Sequence, residues 1–245
     1  MKLDFIAFAA HPDDAELSMG GTIAKLTKAG SKFGIADLTG GELGTRGSKS
    51  IRKIESKNAD KILNVAVREN LGIKDGHVFI NQENTSKIVK VIRKYQPEII
   101  FAPYFNDRHP DHIETSKLIK RAMFLSGLPK YKTIVNSNAQ KAYRPKKIYY
   151  FMQTYEFIPS FIVDISETFD TKMKAVWAYQ TQFFNKNSKT NEPETFISNP
   201  EFIKYLEARA KTFGFKIGKP FGEPFFSEEA IEMDLFNILK GNLWS

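Results

Sequence analysis

Short, almost wholly apolar runs alternate along the first half of the chain with longer stretches whose apolar residues recur every three or four positions. Residues 3–10, 32–38, 67–71 and 98–103 read as buried strands, and 16–29, 51–63, 86–95 and 111–125 as helices. Gly30 stands where the first helix should end. A loop carrying Gly40, Gly41, Gly44 and Gly47 follows the second strand. This strand–helix alternation predicts right-handed crossovers and a Rossmann-like, doubly wound α/β fold. Its sheet should be mostly parallel, with helices on both faces. The second half is less regular and reads as a C-terminal extension. Strands are expected at 147–153 and 161–164, a helix at 167–183, a polar loop or lid at 185–200, and a helix at 201–214 with Phe202, Leu206, Ala210 and Phe213 on its apolar side. No linker interrupts the pattern, so residues 1–245 are expected to form a single domain.

Composition narrows the chemistry. No run approaches the roughly 20 apolar residues of a membrane span. The opening Met1-Lys2-Leu3-Asp4 leads straight into a strand and lacks the regions of a secretory signal, so a cytoplasmic location and no membrane partner are expected. There is no cysteine, which leaves His, Asp, Glu and water to hold any metal. The net charge of +8 is scattered, in keeping with heavy Lys, Asn and Ile usage. Without an aromatic–basic motif or a zinc finger, no nucleic-acid partner is expected. Lys outnumbers Arg, which draws attention to Arg46, Arg52 and Arg108, all beside the motifs below. A guanidinium grips a carboxylate with a planar fork, so an anionic ligand is the sharper reading of the charge.

One device occurs twice. His11-Pro12-Asp13-Asp14 and His109-Pro110-Asp111-His112 each follow an apolar strand and precede a helix, and they hold three of the four histidines. If the strand order is 3-2-1-4, the two motifs leave neighbouring strands at the crevice where open parallel sheets bind ligands. Each proline suits the first helical position. Acidic residues in a first turn already stabilise a helix by roughly 0.3–1 kcal/mol each, so one such start would need no further explanation. Two, each led by His at a sheet edge, predict a divided metal site. Two imidazoles and one carboxylate make a three-ligand zinc centre with an open position. Spacing leaves open whether Asp13 or Asp14 is the ligand; the other stays close by as a general base. His109 falls to the substrate side, and Asp111 is placed to orient a histidine. His77 reads as a surface-loop residue, Gly20-Gly21 as a close helix packing, and Trp177 and Tyr179 as core or interface aromatics. No G-x-G-x-x-G follows the first strand, which argues against a dinucleotide binder.

These motifs resemble the signature of the LmbE/PIG-L-like zinc N-deacetylases. Residues 37–47 (Asp-Leu-Thr-Gly-Gly-Glu-Leu-Gly-Thr-Arg-Gly), 106–112, 178–183 and 222–225 look like the bacillithiol-pathway branch. That branch removes acetyl from N-acetyl-α-D-glucosaminyl-L-malate, an anionic amino-sugar glycoside. The resemblance implies His11, Asp14 and His112 as Zn²⁺ ligands, Asp13 as general base, and His109 as oxyanion stabiliser and proton donor to the leaving amine. It further implies Arg52 and Arg108 as substrate contacts and a homo-oligomer, hexamers being common in the family. Phe221 departs from the branch, where an aromatic hydroxyl is expected. The same chemistry on another N-acetylglucosamine derivative is an alternative. An inactive metal- or sugar-binding protein is another, but it would need neither Asp13 nor His109.

Overall fold

Successive side chains of the first strand, β1 (Phe5–Ala9), face opposite cores: Ala7 and Ala9 enter one hydrophobic cluster, Ile6 and Phe8 the other. A strand with both faces covered reads as a continuous apolar run, and every residue after Phe5 is buried. The computed structural model describes residues 1–183 and 193–232. The elements that follow are α1 (Asp14–Lys28), β2 (Phe33–Asp37), α2 (Lys49–Leu63), β3 (Val67–Asn70), α3 (Gln82–Tyr95), β4 (Ile99–Pro103) and α4 (Pro110–Ser126). Then come β5 (Ile134–Val135), β6 (Asn138–Ala139), β7 (Lys147–Phe151), β8 (Phe161–Asp164), α5 (Phe169–Trp177), α6 (Pro200–Phe215) and β9 (Gly222–Phe226). Seven strands form one sheet in the order β3-β2-β1-β4-β7-β9-β8, while β5 and β6 make a small hairpin. The first five are parallel, and β9 runs antiparallel between β7 and β8. Helices α1, α2, α5 and α6 contribute to one core and α3 and α4 to the other, which is the doubly wound arrangement expected. No helix among the described residues is long and apolar enough to cross a membrane.

Two elements differ from the sequence reading. β9 is one, because Pro224 hides the strand in the sequence; the segment pairs with two antiparallel neighbours. The helix expected over 167–183 is cut to α5, and the chain turns through Tyr179 and Gln182. Of the expected loop 185–200, residues 185–192 lie outside the described residues, and α6 begins at Pro200.

β9 matters for what it supports. Helix α1 breaks at Met19, whose φ of −141° and ψ of 20° are not helical. The N–H groups exposed by the break, on Gly21 and Thr22, donate to the Glu223 carboxylate at 3.0 and 2.7 Å. Lys172 completes the arrangement with a buried ion pair to Glu223 at 2.6 Å. A Cβ on Gly21 would lie 2.7 Å from Ile165, so the Gly20-Gly21 pair serves packing.

Candidate active site

β1 and β4 are adjacent and parallel, so their C-terminal ends bring the two His-Pro-Asp motifs together. The rings of His11 and His109 lie 4.8 Å apart, as do those of His109 and His112. The two motifs nevertheless start their helices differently. His109 is the N-cap of α4 and Pro110 takes the first helical position, as expected. Pro12 does not: α1 begins only at Asp14, with Asp13 as N-cap at φ 107°. The reason is a tight local loop in which the Asp14 carboxylate accepts the His11 N–H at 2.8 Å. Positive φ is strained for a residue with a Cβ, and such strain gathers at functional sites.

Two groups have the geometry to hold a cation, His11–Asp14–His112 and His11–His109–Asp111, the ligand atoms of each lying within 4.8 Å of one another. The ring nitrogens decide between them. His112 turns Nδ1 to Asp107 at 2.8 Å and Nε2 to Asp14 at 3.4 Å. His11 turns Nε2 to Asp75 at 3.1 Å and Nδ1 to Asp14 at 3.6 Å. Each imidazole is therefore held at its back by a carboxylate and faces Asp14 with its free nitrogen, the usual support of a metal-ligating histidine. In the second group, His11 would have to use the nitrogen engaged by Asp75, and His109 Nδ1 already accepts the Asp111 N–H at 3.2 Å.

Electrostatics fit the same centre. Burial disfavours charge on His11, yet hydrogen bonds to Asp111, Asp14 and Asp75 raise its pKa well above the usual value. Burial likewise opposes charge on His112, but Asp14 and Asp107 push it up to about 9. Against burial, the two imidazoles hold Asp14 well below the carboxylate range. The cluster demands positive charge where His11, Asp14 and His112 converge, and a divalent cation on this all-nitrogen-and-oxygen donor set meets that demand.

Around the centre, Asp13 is buried and its Oδ2 has no hydrogen-bond partner; Arg52 Nη2 lies 3.8 Å from it. Burial pushes the Asp13 carboxyl up to about 7 against the pull of Arg52. Arg52 is pinned by Gln182, which accepts from its guanidinium and donates to the Arg46 carbonyl at 2.7 Å. The glycine loop makes room for it: a Cβ on Gly41, where φ is 64°, would lie 1.8 Å from Arg52 Nη1. The Asp111 carboxylate does not reach His109. It accepts the Gly76 N–H at 2.8 Å and stands 3.5 Å from His11 Nε2. Phe221 stacks on Phe169 at 3.8 Å, and no part of it lines the cavity.

His11, Asp13, Asp14 and His112 open into a cavity of about 620 Å³ whose lining also includes Arg46, Arg52, Arg108, His109 and Thr154. Asp75 and Asp107, both central to the site, escaped the sequence reading. Asp107 could have been found as the acidic residue just before Arg108-His109; Asp75 carries no local signal, because it arrives from the loop between β3 and α3. His77 is exposed on that loop, as expected.

Comparison with known proteins gives four points. Residues 6–123 match the family model described as PIG-L, GlcNAc-PI de-N-acetylase. The chain is 32% identical to the diacetylchitobiose deacetylase of Thermococcus kodakarensis, over 71% of this chain and 67% of that protein. It is 28% identical to a probable N-acetyl-α-D-glucosaminyl L-malate deacetylase 2 of Bacillus cereus, over 74% and 84% of the two chains. Among solved structures, the conserved protein TT1542 of Thermus thermophilus superposes with a TM-score of 0.84 at 33% identity, covering 95% of this chain and 97% of its own.

Proposed function

The chain belongs to the PIG-L/LmbE family of N-deacetylases, hydrolases that act on amides, and from that premise we propose that it removes the acetyl group of N-acetyl-α-D-glucosaminyl-L-malate with zinc as its metal. The observation that carries the reading is the convergence of His11, Asp14 and His112 beside Asp13, whose Oδ2 is buried without a hydrogen-bond partner. A spectator carboxylate in that position would be costly, whereas a general base needs an open oxygen.

His11 through Nδ1, Asp14 and His112 through Nε2 would hold the ion. Zinc so held supplies Lewis acidity toward a carbonyl and lowers the pKa of water to about 7. Asp13, raised by burial toward neutrality, accepts the proton of the attacking water and returns it to the departing nitrogen, giving acetate and the free amine. His109 acts as a neutral donor: its Nδ1 accepts a backbone N–H, which leaves its proton on Nε2, turned to the oxygen that gathers charge. Burial and the neighbouring His11 and His112 hold its pKa below the usual value, consistent with a hydrogen-bond donor and contrary to an imidazolium acid. Arg108, exposed at the cavity rim, meets the malate carboxylates, while Arg52 serves Asp13 as well as substrate.

The diacetylchitobiose deacetylase relative favours a second reading, the same hydrolysis on another N-acetylglucosamine derivative. Acetate release from the malate glycoside, diacetylchitobiose and N-acetylglucosamine by the zinc-loaded protein separates the two. Fastest turnover of the malate glycoside is expected; turnover of diacetylchitobiose alone would replace the leading reading.

A further inference from the structure

The acidic residues in the described lining of the cavity, Asp13, Asp14 and Asp75, all belong to the metal centre or support it. The wall built by the end of β7 and by α6 carries donors instead. Arg209, on α6, is buried and has no carboxylate partner among the described residues; it donates to the carbonyls of Gln153 and Leu17. The Leu17 carbonyl is free to accept because α1 breaks at Met19, and the Gly21 N–H, its helical partner, turns to Glu223. Gln153, two residues beyond β7, is held at both ends. Its carbonyl accepts from Arg209, and its side-chain Oε1 accepts the Ser18 hydroxyl at 3.2 Å. Its Nε2 is left buried with no hydrogen-bond partner among the described residues. A buried donor left unpaired is costly, and in the lining of a ligand cavity it marks where the ligand brings the acceptor.

The surroundings decide what that acceptor is. β7 lies parallel to β4, and Thr154, the residue after Gln153, donates its N–H to Asp107 at 2.8 Å. Gln153 and Arg108 therefore stand at adjoining strand ends. Arg108, over the Phe196 ring at 4.6 Å, also has no carboxylate partner among the described residues. Asp107 is engaged by His112 and by backbone N–H groups. This side of the cavity thus offers two guanidinium groups and an amide donor, which suits a group that only accepts and carries negative charge. Resting on the deacetylase reading above, we propose that Gln153 is a specificity-determining residue whose Nε2 donates to a carboxylate of the substrate's aglycone. Arg209 fixes Gln153 from behind and adds its charge, and Arg108 meets the same anionic end from the rim. The substrate class is then an N-acetylamino sugar glycoside of a hydroxy acid, with its amide at the metal and its carboxylates on the β7–α6 side.

The test compares the malate glycoside, its neutral dimethyl ester and methyl N-acetylglucosaminide on zinc-loaded protein. Calorimetry in an Asp13→Asn background measures binding, and acetate release is followed in proteins that keep Asp13. One hydrogen bond to a charged group is worth about 10- to 100-fold in affinity. In Gln153→Ala the preference for the malate glycoside over its diester should fall by that factor, mainly through KM. Gln153→Glu, close in shape, sets like charges against each other and should lower the preference further. Arg209→Lys keeps the charge but loosens the hold on Gln153, so part of the same preference should go; a uniform loss across the three ligands would make Arg209 structural only. An equal loss for all three ligands in Gln153→Ala would put Nε2 on the sugar and overturn the carboxylate contact. A preference undiminished in both Gln153 variants overturns it too, as does the absence of any preference in the unsubstituted protein. Acetate release from the neutral ligands in those cases leaves the deacetylase reading standing. Charge-selective binding that depends on Gln153, with no acetate from any ligand, supports the contact and removes the deacetylase reading instead.

Discussion

Asp107 Oδ1 stands 2.8 Å from His112 Nδ1 and also accepts the His109 N–H at 3.0 Å, so one carboxylate oxygen positions two histidines of the second motif. Its other oxygen accepts Thr154 N–H at 2.8 Å, which ties the motif to the chain beyond β7. Asp107→Ala should therefore weaken zinc binding by about 10- to 100-fold, with activity recovered at high zinc. Competition with a chelator measures this, and an unchanged affinity would remove Asp107 from the support of the centre.

His109 and Asp111 should separate cleanly. His109→Ala is expected to retain zinc and lose about 10²–10³ in kcat, the usual effect of removing one oxyanion donor. Asp111→Asn removes a charge that raises the His109 pKa, although its carboxylate hydrogen-bonds toward Gly76 and His11. With that charge gone the His109 pKa falls further, so a limb of the pH–rate profile set by His109 should move to lower pH; an unchanged profile would show that Asp111 does not act on His109.

Arg52 and Arg108 predict different substrate dependence. Arg52, 3.8 Å from Asp13 and pinned by Gln182, should reduce turnover of neutral and anionic sugars alike when changed to Ala. Arg108→Ala should harm the malate glycoside several-fold more than N-acetylglucosamine. Gln182→Ala should resemble Arg52→Ala, since it frees that guanidinium. Steady-state kinetics on the two substrates provide the comparison.

A carboxylate behind the site carries a pH signature. Asp60 is raised from 3.8 to about 6, first by burial and against the pull of Arg68. Between those values the folded chain binds more protons than the unfolded one. The group thus stabilises the fold at low pH, and that contribution is lost as pH rises through about 6. Asp60→Asn should accordingly be more stable than wild type at pH 8, by about 1–3 kcal/mol, with the gain gone near pH 4. Urea denaturation at the two pH values checks the sign.

Glu223 accepts from Gly21, Thr22 and Lys172 in the interior. Glu223→Ala leaves Lys172 buried without its counter-ion and uncaps the break in α1, so a loss of about 3–5 kcal/mol is expected. Because the N-terminal turn of the same helix carries Asp14, zinc affinity should fall with stability.

The fold and the meeting of the two His-Pro-Asp motifs were legible because their causes are local or repeated. Apolar runs separated by helical periodicity define a parallel sheet, and a His-Pro-Asp at the ends of two strands becomes one site once β1 and β4 are neighbours. The absence of cysteine confined the donors to His, Asp and Glu. What tertiary structure alone decided are the contacts between residues distant in sequence. It put Asp75 behind His11 and Gln182 against Arg52, and it inserted β9 so that Glu223 caps a broken helix. It also gave the repeated motif two different backbones: His109 caps α4, while Asp13 takes a left-handed φ before α1. A hydrogen-bond partner 64 or 130 positions away leaves no periodic trace in the chain, whereas a strand's burial and a helix's first turn are written in adjacent residues.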